Sequence, residues 1–207
     1  MQKEERCWRI HELLAELPPH KEANQELPLN GIYFFYEDEE YCEKDGIELE
    51  RIVRVGTHIK QDNFQKRIHY HYNGNKNGSV FRKHLGGAMI AHDNLDYPPL
   101  SRWLAKGTRF QEFECRVSEL LQKSFRFRCI EIEDGNERLE LEKCLIATLS
   151  RCEHCKHSQN WLGIYAKDPR IELSGLWNIR HTRSVGRLLD GDWFSRFEQL
   201  LKSSKRV

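Results

Sequence analysis

The chain has 207 residues, with 33 Lys and Arg against 32 Asp and Glu, and 39% of its residues are hydrophobic. That content fills the core of one ordinary domain and excludes collagen, coiled-coil and wholly disordered classes. The formal net charge of +1 hides a segregation. Residues 1–50 hold 5 basic and 14 acidic residues (−9), residues 51–128 hold 15 and 6 (+9), and residues 129–207 hold 13 and 12 (+1). A polyanion would sit against the basic middle of the molecule.

No apolar run approaches the roughly 18 residues of a membrane span. The opening MQKEERCWRIHELL lacks an apolar signal core, so a cytoplasmic protein is expected. Residues 3–17 space Trp8, Ile10, Leu13, Leu14 and Leu17 as an amphipathic helix, which Pro18-Pro19 ends. After a polar stretch, Gly31-Ile-Tyr-Phe-Phe-Tyr36 reads as a strand buried on both faces. Residues 37–50 carry eight acids and a single Lys, which predicts a solvated hairpin excursion turning near Asp45-Gly46. Residues 51–57 form the second strand, paired with the first.

Helical spacing returns at 61–72, with Phe64, Ile68 and Tyr72 on one stripe, and again around 79–92. A Pro-containing loop at 96–99 precedes a helix or strand near 110–122. Residues 125–132 read as a third strand, 137–150 as a helix, 151–175 as a long loop, and 192–201 as a helix with Phe194, Phe197, Leu200 and Leu201 inward. The expected fold is α/β (α+β), a small, mainly antiparallel three-stranded sheet flanked by helices. The expected divisions are 1–28, an N-terminal helix and linker; 29–178, the main domain; and 179–207, a helical extension.

Three features carry chemistry. Glu142 falls within the apolar stripe of Leu139, Leu145, Ile146 and Leu149, and a carboxylate drawn out of water needs a cation, a metal or a donor. Arg67 and His71 are four residues apart on one helix face, an Arg fork beside an imidazole, suited to holding a phosphate and handling a proton near it. Tyr33 reads equally as core or as a phenol able to take a proton from water. The bland alternatives are an ion pair for Glu142 and a surface Arg beside a carbonyl-bonded His.

Seven cysteines in a chain without an export signal read as reduced thiols. The one cluster, Cys152-Glu-His-Cys155-Lys-His157, offers four potential ligands within six residues. A span that short cannot wrap a tetrahedral zinc, so a remote partner such as Cys129 or Cys144 would be required.

Taken in order, Gly31-Ile32-Tyr33, Arg54-Val55-Gly56, Arg67-Ile-His-Tyr-His71 and Leu141-Glu142-Lys-Cys-Leu145-Ile146 resemble the GIY-YIG nuclease superfamily. The resemblance covers about residues 29 to 150, perhaps to 178. It is nearest to stand-alone bacterial GIY-YIG-like proteins with Arg-Val-Gly-Thr-His, here Arg54 to His58, and Ser-Gly-Leu-Trp-Asn, here Ser174 to Asn178.

The resemblance implies an endonuclease hydrolysing DNA phosphodiesters with one Mg²⁺ or Mn²⁺. Glu142 would hold the metal, Arg67 would bind the scissile phosphate, and Tyr33 would activate or position water with His71 and His58 assisting. Arg54, Lys66, Arg82, Lys83, Asn178 and Asn160 would contact the nucleic acid, Asn178 being preferred over Asn160 because it follows an aromatic residue. Dimerisation would suit double-strand cleavage. Arg54 stands where the second motif's leading tyrosine is usual and would contact phosphate, and the longer acidic stretch would lie away from DNA or guard the cleft. The rival reading is a module that keeps the fold to bind nucleic acid or protein without cleaving.

Overall fold

The computed structural model describes residues 2–21, 27–184 and 188–204; part of the polar stretch after Pro19 lies outside them. Three strands, β1 (Gly31–Lys44), β2 (Ile47–Gly56) and β3 (Phe125–Glu131), form an antiparallel sheet in the order β2-β1-β3. Eight helices surround it among the described residues: α1 (Lys3–Ala15), α2 (Phe64–Asn73), α3 (Val80–His92), α4 (Leu100–Leu104), α5 (Gln111–Ser124), α6 (Gly135–Leu149), α7 (Pro169–Ser174) and α8 (Gly191–Ser204). No helix is long and apolar enough to cross a membrane. The α+β architecture is the one expected, and the segment 110–122, readable either way, is helix α5. Helices α4 and α7 have five and six residues, too few to leave a readable period in the sequence.

Alternation along β1 sorts the helices into two layers. Ile32, Phe34 and Tyr36 meet α1, α6 and α8 through Ile10, Leu14, Leu145 and Phe197. Tyr33 and Phe35 meet α2, α3 and α5 through Ile68, Phe81, Leu85 and Val117. Both β1 faces are therefore core, which explains its aromatic sequence. The register slips between Phe35↔Arg54 and Tyr36↔Ile52, leaving Val53 as the extra residue of a bulge. The bulge is satisfied from outside the sheet: Trp177 N–H donates to Val53 O at 2.7 Å, so residues 176–178 strap the open edge of β2.

The acidic stretch is the expected hairpin, and Asp38, Glu39, Glu43, Asp45 and Glu48 are exposed on it, but it is paired strand along its length and not all of its acids face water. Pairing continues to Lys44↔Ile47, and the turn falls at Asp45-Gly46, both at positive φ (52° and 77°). Two acids turn inward because cations and donors far along the chain meet them. Glu40 is 3% exposed, and its Oε2 accepts from Arg51 Nε and Nη2 at 2.8 and 2.6 Å. Glu37 Oε2 accepts both the Trp161 and Trp177 indole N–H groups, at 2.9 and 3.1 Å.

Burial raises the Glu37 pKa to about 7, against the pull of the two indole hydrogen bonds. The folded protein then binds this proton more tightly than the unfolded chain, so stability falls as pH rises from about 4.5 through 7. Glu37→Gln keeps an acceptor for the indoles and removes that loss. Denaturant titrations should show the variant gaining up to about 3 kcal/mol at pH 8 and little at pH 4.5; a gain confined to the acid side would contradict it.

Arg82 is the second inward charge. It is 0% exposed, and all five of its N–H groups are spent: Nε and Nη2 on Glu114 Oε2 at 3.4 and 3.0 Å, Nη2 on Glu114 O at 2.8 Å, and Nη1 on His71 O and Tyr72 O at 3.1 and 2.9 Å. It thereby ties α3 to the ends of α2 and α5. Arg82→Met strands the Glu114 carboxylate and should cost about 3–5 kcal/mol. Combining it with Glu114→Gln, which can still accept from Lys76 N, should recover part of that loss in equilibrium unfolding.

Candidate active site

Two glycines let the open end of the hairpin close. A Cβ on Gly31 would lie 2.3 Å from Ile130 O across the β1–β3 pair. A Cβ on Gly56 would lie 2.3 Å from Tyr33 Oη, because the phenol of Tyr33 crosses over Gly56, its register partner on β2. Each glycine thus makes room where another group must pass.

Tyr33 is 1% exposed, and its Oη lies 2.8 Å from His71 Nε2. His71 Nδ1 lies 2.8 Å from Ser79 Oγ, which caps α3 by accepting Arg82 N–H. The imidazole is fully buried, and desolvation first, then Arg67, Arg54 and Arg82, hold its pKa well below the usual 6.5. His71 is therefore neutral, with one ring nitrogen on the phenol and the other on a hydroxyl that is itself held.

Arg67 stands one turn before His71 on α2, half-buried, with Nη1 donating to Gly78 O at 3.0 Å. Arg54, opposite Phe35, reaches the same place from β2. Its Nη1 donates to Trp177 O at 2.7 Å and its guanidinium lies over the Phe81 ring at 5.1 Å, while its buried Nε has no hydrogen-bond partner.

Glu142 arrives from α6, whose N-terminus Asp134 caps through Glu137 N at 2.7 Å. Its Oε1 accepts the Thr57 N–H at 3.1 Å, and its Oε2 takes no hydrogen bond among the described residues. Burial raises its pKa, and Arg54, the Thr57 N–H and Arg67 pull it back. Tyr33, Arg54, Arg67, His71 and Glu142 thus share one electrostatic neighbourhood at the open end of the hairpin, drawn from β1, β2, α2 and α6. The acidic tip at Asp45-Gly46 is at the other end.

The remaining candidates fall elsewhere or serve the backbone. His58 Nδ1 donates to Lys60 O at 2.6 Å and its Nε2 accepts Gly31 N–H at 3.3 Å, so both nitrogens hold loop backbone. Asn178 clamps Val55, accepting its N–H at 3.0 Å and donating to its carbonyl at 2.8 Å, as a neighbouring strand would. Arg82, expected at the phosphate, is instead in the core with no donor to spare. Asn160 is exposed on the turn after Ser158, which bonds the buried Glu40. Lys66 is exposed on α2.

Lys83 lines an open depression with His84, Lys167, Asp168, Arg170 and Arg183. His84 lies within the electrostatic reach of Arg54, and burial lowers its pKa to about 4, leaving it neutral. Sequence reasoning did not bring Lys167, Arg170 and Arg183 to this place. Lys167 and Arg170 fall in the segment read only as loop and Arg183 in the expected C-terminal extension, and no periodicity marks them.

Glu142 fits a hard divalent cation: it supplies a carboxylate oxygen with no hydrogen bond among the described residues, beside cations that would share a bound phosphate. The neutral His71 and the buried phenol fit proton handling. A family model for the GIY-YIG domain matches residues 9–207. No curated protein and no solved structure matches the chain at a significant level. The match takes in nearly the whole chain, the second half of α1 and all of α8 included, and the two motif glycines, the phenol over Gly56 and the carboxylate of α6 give it physical content: this chain belongs to the GIY-YIG domain family, whose fold suggests a nuclease-type function.

Proposed function

We propose that the protein is a metal-dependent endonuclease that hydrolyses phosphodiester bonds in DNA, with Mg²⁺ or Mn²⁺ as its cofactor. The observation that carries this reading is the meeting of Tyr33 from β1, Arg67 and His71 from α2, and Glu142 from α6. A carboxylate beside a bound phosphate would only repel it, so a pure binding module has no use for Glu142 there, whereas a cation between them makes the pair attractive.

Glu142 would hold the cation through its unpartnered oxygen; when bound, that ion supplies Lewis acidity at the phosphate. Arg67 and Arg54 place positive charge where the phosphate gains negative charge as water attacks. Tyr33 Oη takes the proton of the attacking water as it passes its own to His71 Nε2; the imidazole is neutral and so able to accept, and burial beside the arginines makes it release that proton again rather than hold it. His58 and Asn178 act by fixing the loop and strand edge that carry Gly31 and Val55. The basic depression of Lys83, Lys167, Arg170 and Arg183 offers the DNA backbone a path beside Arg54, with binding that weakens steeply as salt rises. One protomer holds the whole set, so a single chain suffices for a cut in one strand.

The substitution of Arg54 for the usual tyrosine favours the rival, a binding module that does not cleave. Supercoiled plasmid, single-stranded DNA and RNA incubated with Mg²⁺, with Mn²⁺ and with EDTA decide between them. Nicked or linear DNA in the metal arms alone is expected. Intact substrate under every metal, at protein concentrations that shift DNA in a gel, would establish the rival.

A further inference from the structure

We propose that the protein carries a structural zinc ion bound by the thiolates of Cys7, Cys42, Cys152 and Cys155, apart from the GIY-YIG site. The four come from three places that the fold brings together: α1, the distal half of β1, and the short turn Glu153–Cys155. All four are buried and none is in a disulfide. The sulfurs of Cys7, Cys152 and Cys155 lie within 4.8 Å of one another, and Cys155 belongs to a second such group with Cys42 and His11.

The Cys7 Sγ to Cys155 Sγ distance is 3.4 Å. That is far longer than the roughly 2.05 Å of a disulfide. It is close to the about 3.8 Å edge of a tetrahedron built on Zn–S bonds of about 2.3 Å. Cys152-Glu-His-Cys155 supplies the short C-x-x-C half of such a site, folded by Cys155 N–H donating to Cys152 O at 3.2 Å. Soft, buried thiolates select zinc over the hard cations suited to Glu142.

His11 is the fifth candidate for four positions, and the hydrogen bonds exclude it. Its Nδ1 lies 2.9 Å from Cys7 O and its Nε2 accepts Ile52 N–H at 3.2 Å, so no lone pair is left for a metal. Cys42 Sγ touches Leu49 O at 3.5 Å and lies against Cys155 and His11, with no backbone N–H donated to it that would occupy its lone pairs among the described residues. His157 is not among the ligand atoms that gather here; its Nδ1 lies 2.9 Å from Ser158 O and its ring is tilted against Trp161. Cys129 and Cys144, the remote partners expected from the sequence, do not join the cluster; Cys129 pairs opposite Tyr33 on β3, and Cys144 sits on α6.

Binding exchanges four thiol protons for one Zn²⁺ without oxidation. It pins α1 and the hairpin to the loop that leads into the 176–178 strap, and thus supports Arg54 and Val55 from behind. The proposal is independent of cleavage.

The full chain, expressed with zinc in the medium and purified by gel filtration, is assayed by elemental mass spectrometry. About one zinc per chain is expected. Cys42→Ser and Cys152→Ser should lose it, while Cys115→Ser, at an exposed thiol, and His11→Gln should keep it. Because cluster variants can fail to fold, two measurements use wild type. Alkylation should leave the four cluster thiols protected until a chelator removes the metal, with a fall in Tm on removal. Cobalt exchanged into the site should give thiolate charge-transfer bands and tetrahedral d–d bands. Metal-free protein of undiminished Tm, a Cys7–Cys155 disulfide, or iron in place of zinc would overturn the proposal. Zinc lost from His11→Gln but kept by Cys42→Ser would overturn the ligand set.

Discussion

Glu142→Gln should lower the rate of plasmid cleavage by about 10³-fold or more while leaving the protein folded. The glutamine amide can still accept the Thr57 N–H that Glu142 Oε1 accepts at 3.1 Å, so the junction of α6 with the end of β2 survives. What disappears is the negative charge. Burial makes that charge costly, as the raised pKa of Glu142 records, so the neutral amide should unfold at the same temperature as wild type or higher. Loss of rate with no loss of Tm separates a metal ligand from a structural carboxylate. A variant that cleaves as fast as wild type, or one that loses rate only because it unfolds, would remove Glu142 from the mechanism.

The same burial predicts the pH response. A proton competes with the cation for Glu142 at a higher pH than at an exposed glutamate, so activity should fall as pH is lowered through the raised pKa, and more Mg²⁺ should restore part of it. In Glu142→Gln neither response should remain.

The strands, the long helices and the candidate residues Tyr33, Arg67, His71 and Glu142 were legible because each breaks or obeys a short-range pattern. Glu142 interrupts an apolar stripe, Arg67 and His71 share a helix face, and Tyr33 sits in an aromatic run that opens on Gly31. Residues whose meaning depends on distant partners were not legible. Arg82 reads as one more helical cation, and only the fold brings Glu114 and the carbonyls of His71 and Tyr72 to its guanidinium. Glu37 and Glu40 look solvated because composition counts charge but cannot see Trp161, Trp177 and Arg51 closing over them. Asn178 reads as a phosphate contact until the strap lies beside β2 and the amide pairs with Val55. Cys7 had a signal that went unused: it sits on the buried side of α1, three residues before Ile10 and seven before Leu14. Cys42 had none, since a thiol in an acidic run points nowhere until the hairpin is built.

Tyr33→Phe should reduce kcat by about 10²- to 10⁴-fold with KM little changed, the loss associated with removing a positioned proton acceptor. The phenylalanine ring keeps the edge contact with Phe35, at 5.5 Å and 77°, and the packing over Gly56, so the core is retained. The missing oxygen leaves His71 Nε2 without its 2.8 Å partner in a buried site, a stability cost of about 1–3 kcal/mol that thermal unfolding can measure separately. Protonation of His71 cannot compensate, because desolvation and the three arginines around it oppose a further positive charge. Gly56→Ala tests the same oxygen from the opposite strand. Its methyl would fall 2.3 Å from Tyr33 Oη, on a ring fixed by core packing, so the phenol must swing off His71 and activity should drop although no catalytic group has been removed. The methyl would also fall 2.4 and 2.6 Å from Tyr33 Cζ and Cε2, which phenylalanine keeps, so the double variant Tyr33→Phe/Gly56→Ala remains strained and is compared where it is folded; there it should be little slower than Tyr33→Phe alone, because both changes act on the rate through the phenol oxygen. If the two losses multiply instead, Gly56 serves something other than the placement of Tyr33, and the phenol is not the acceptor.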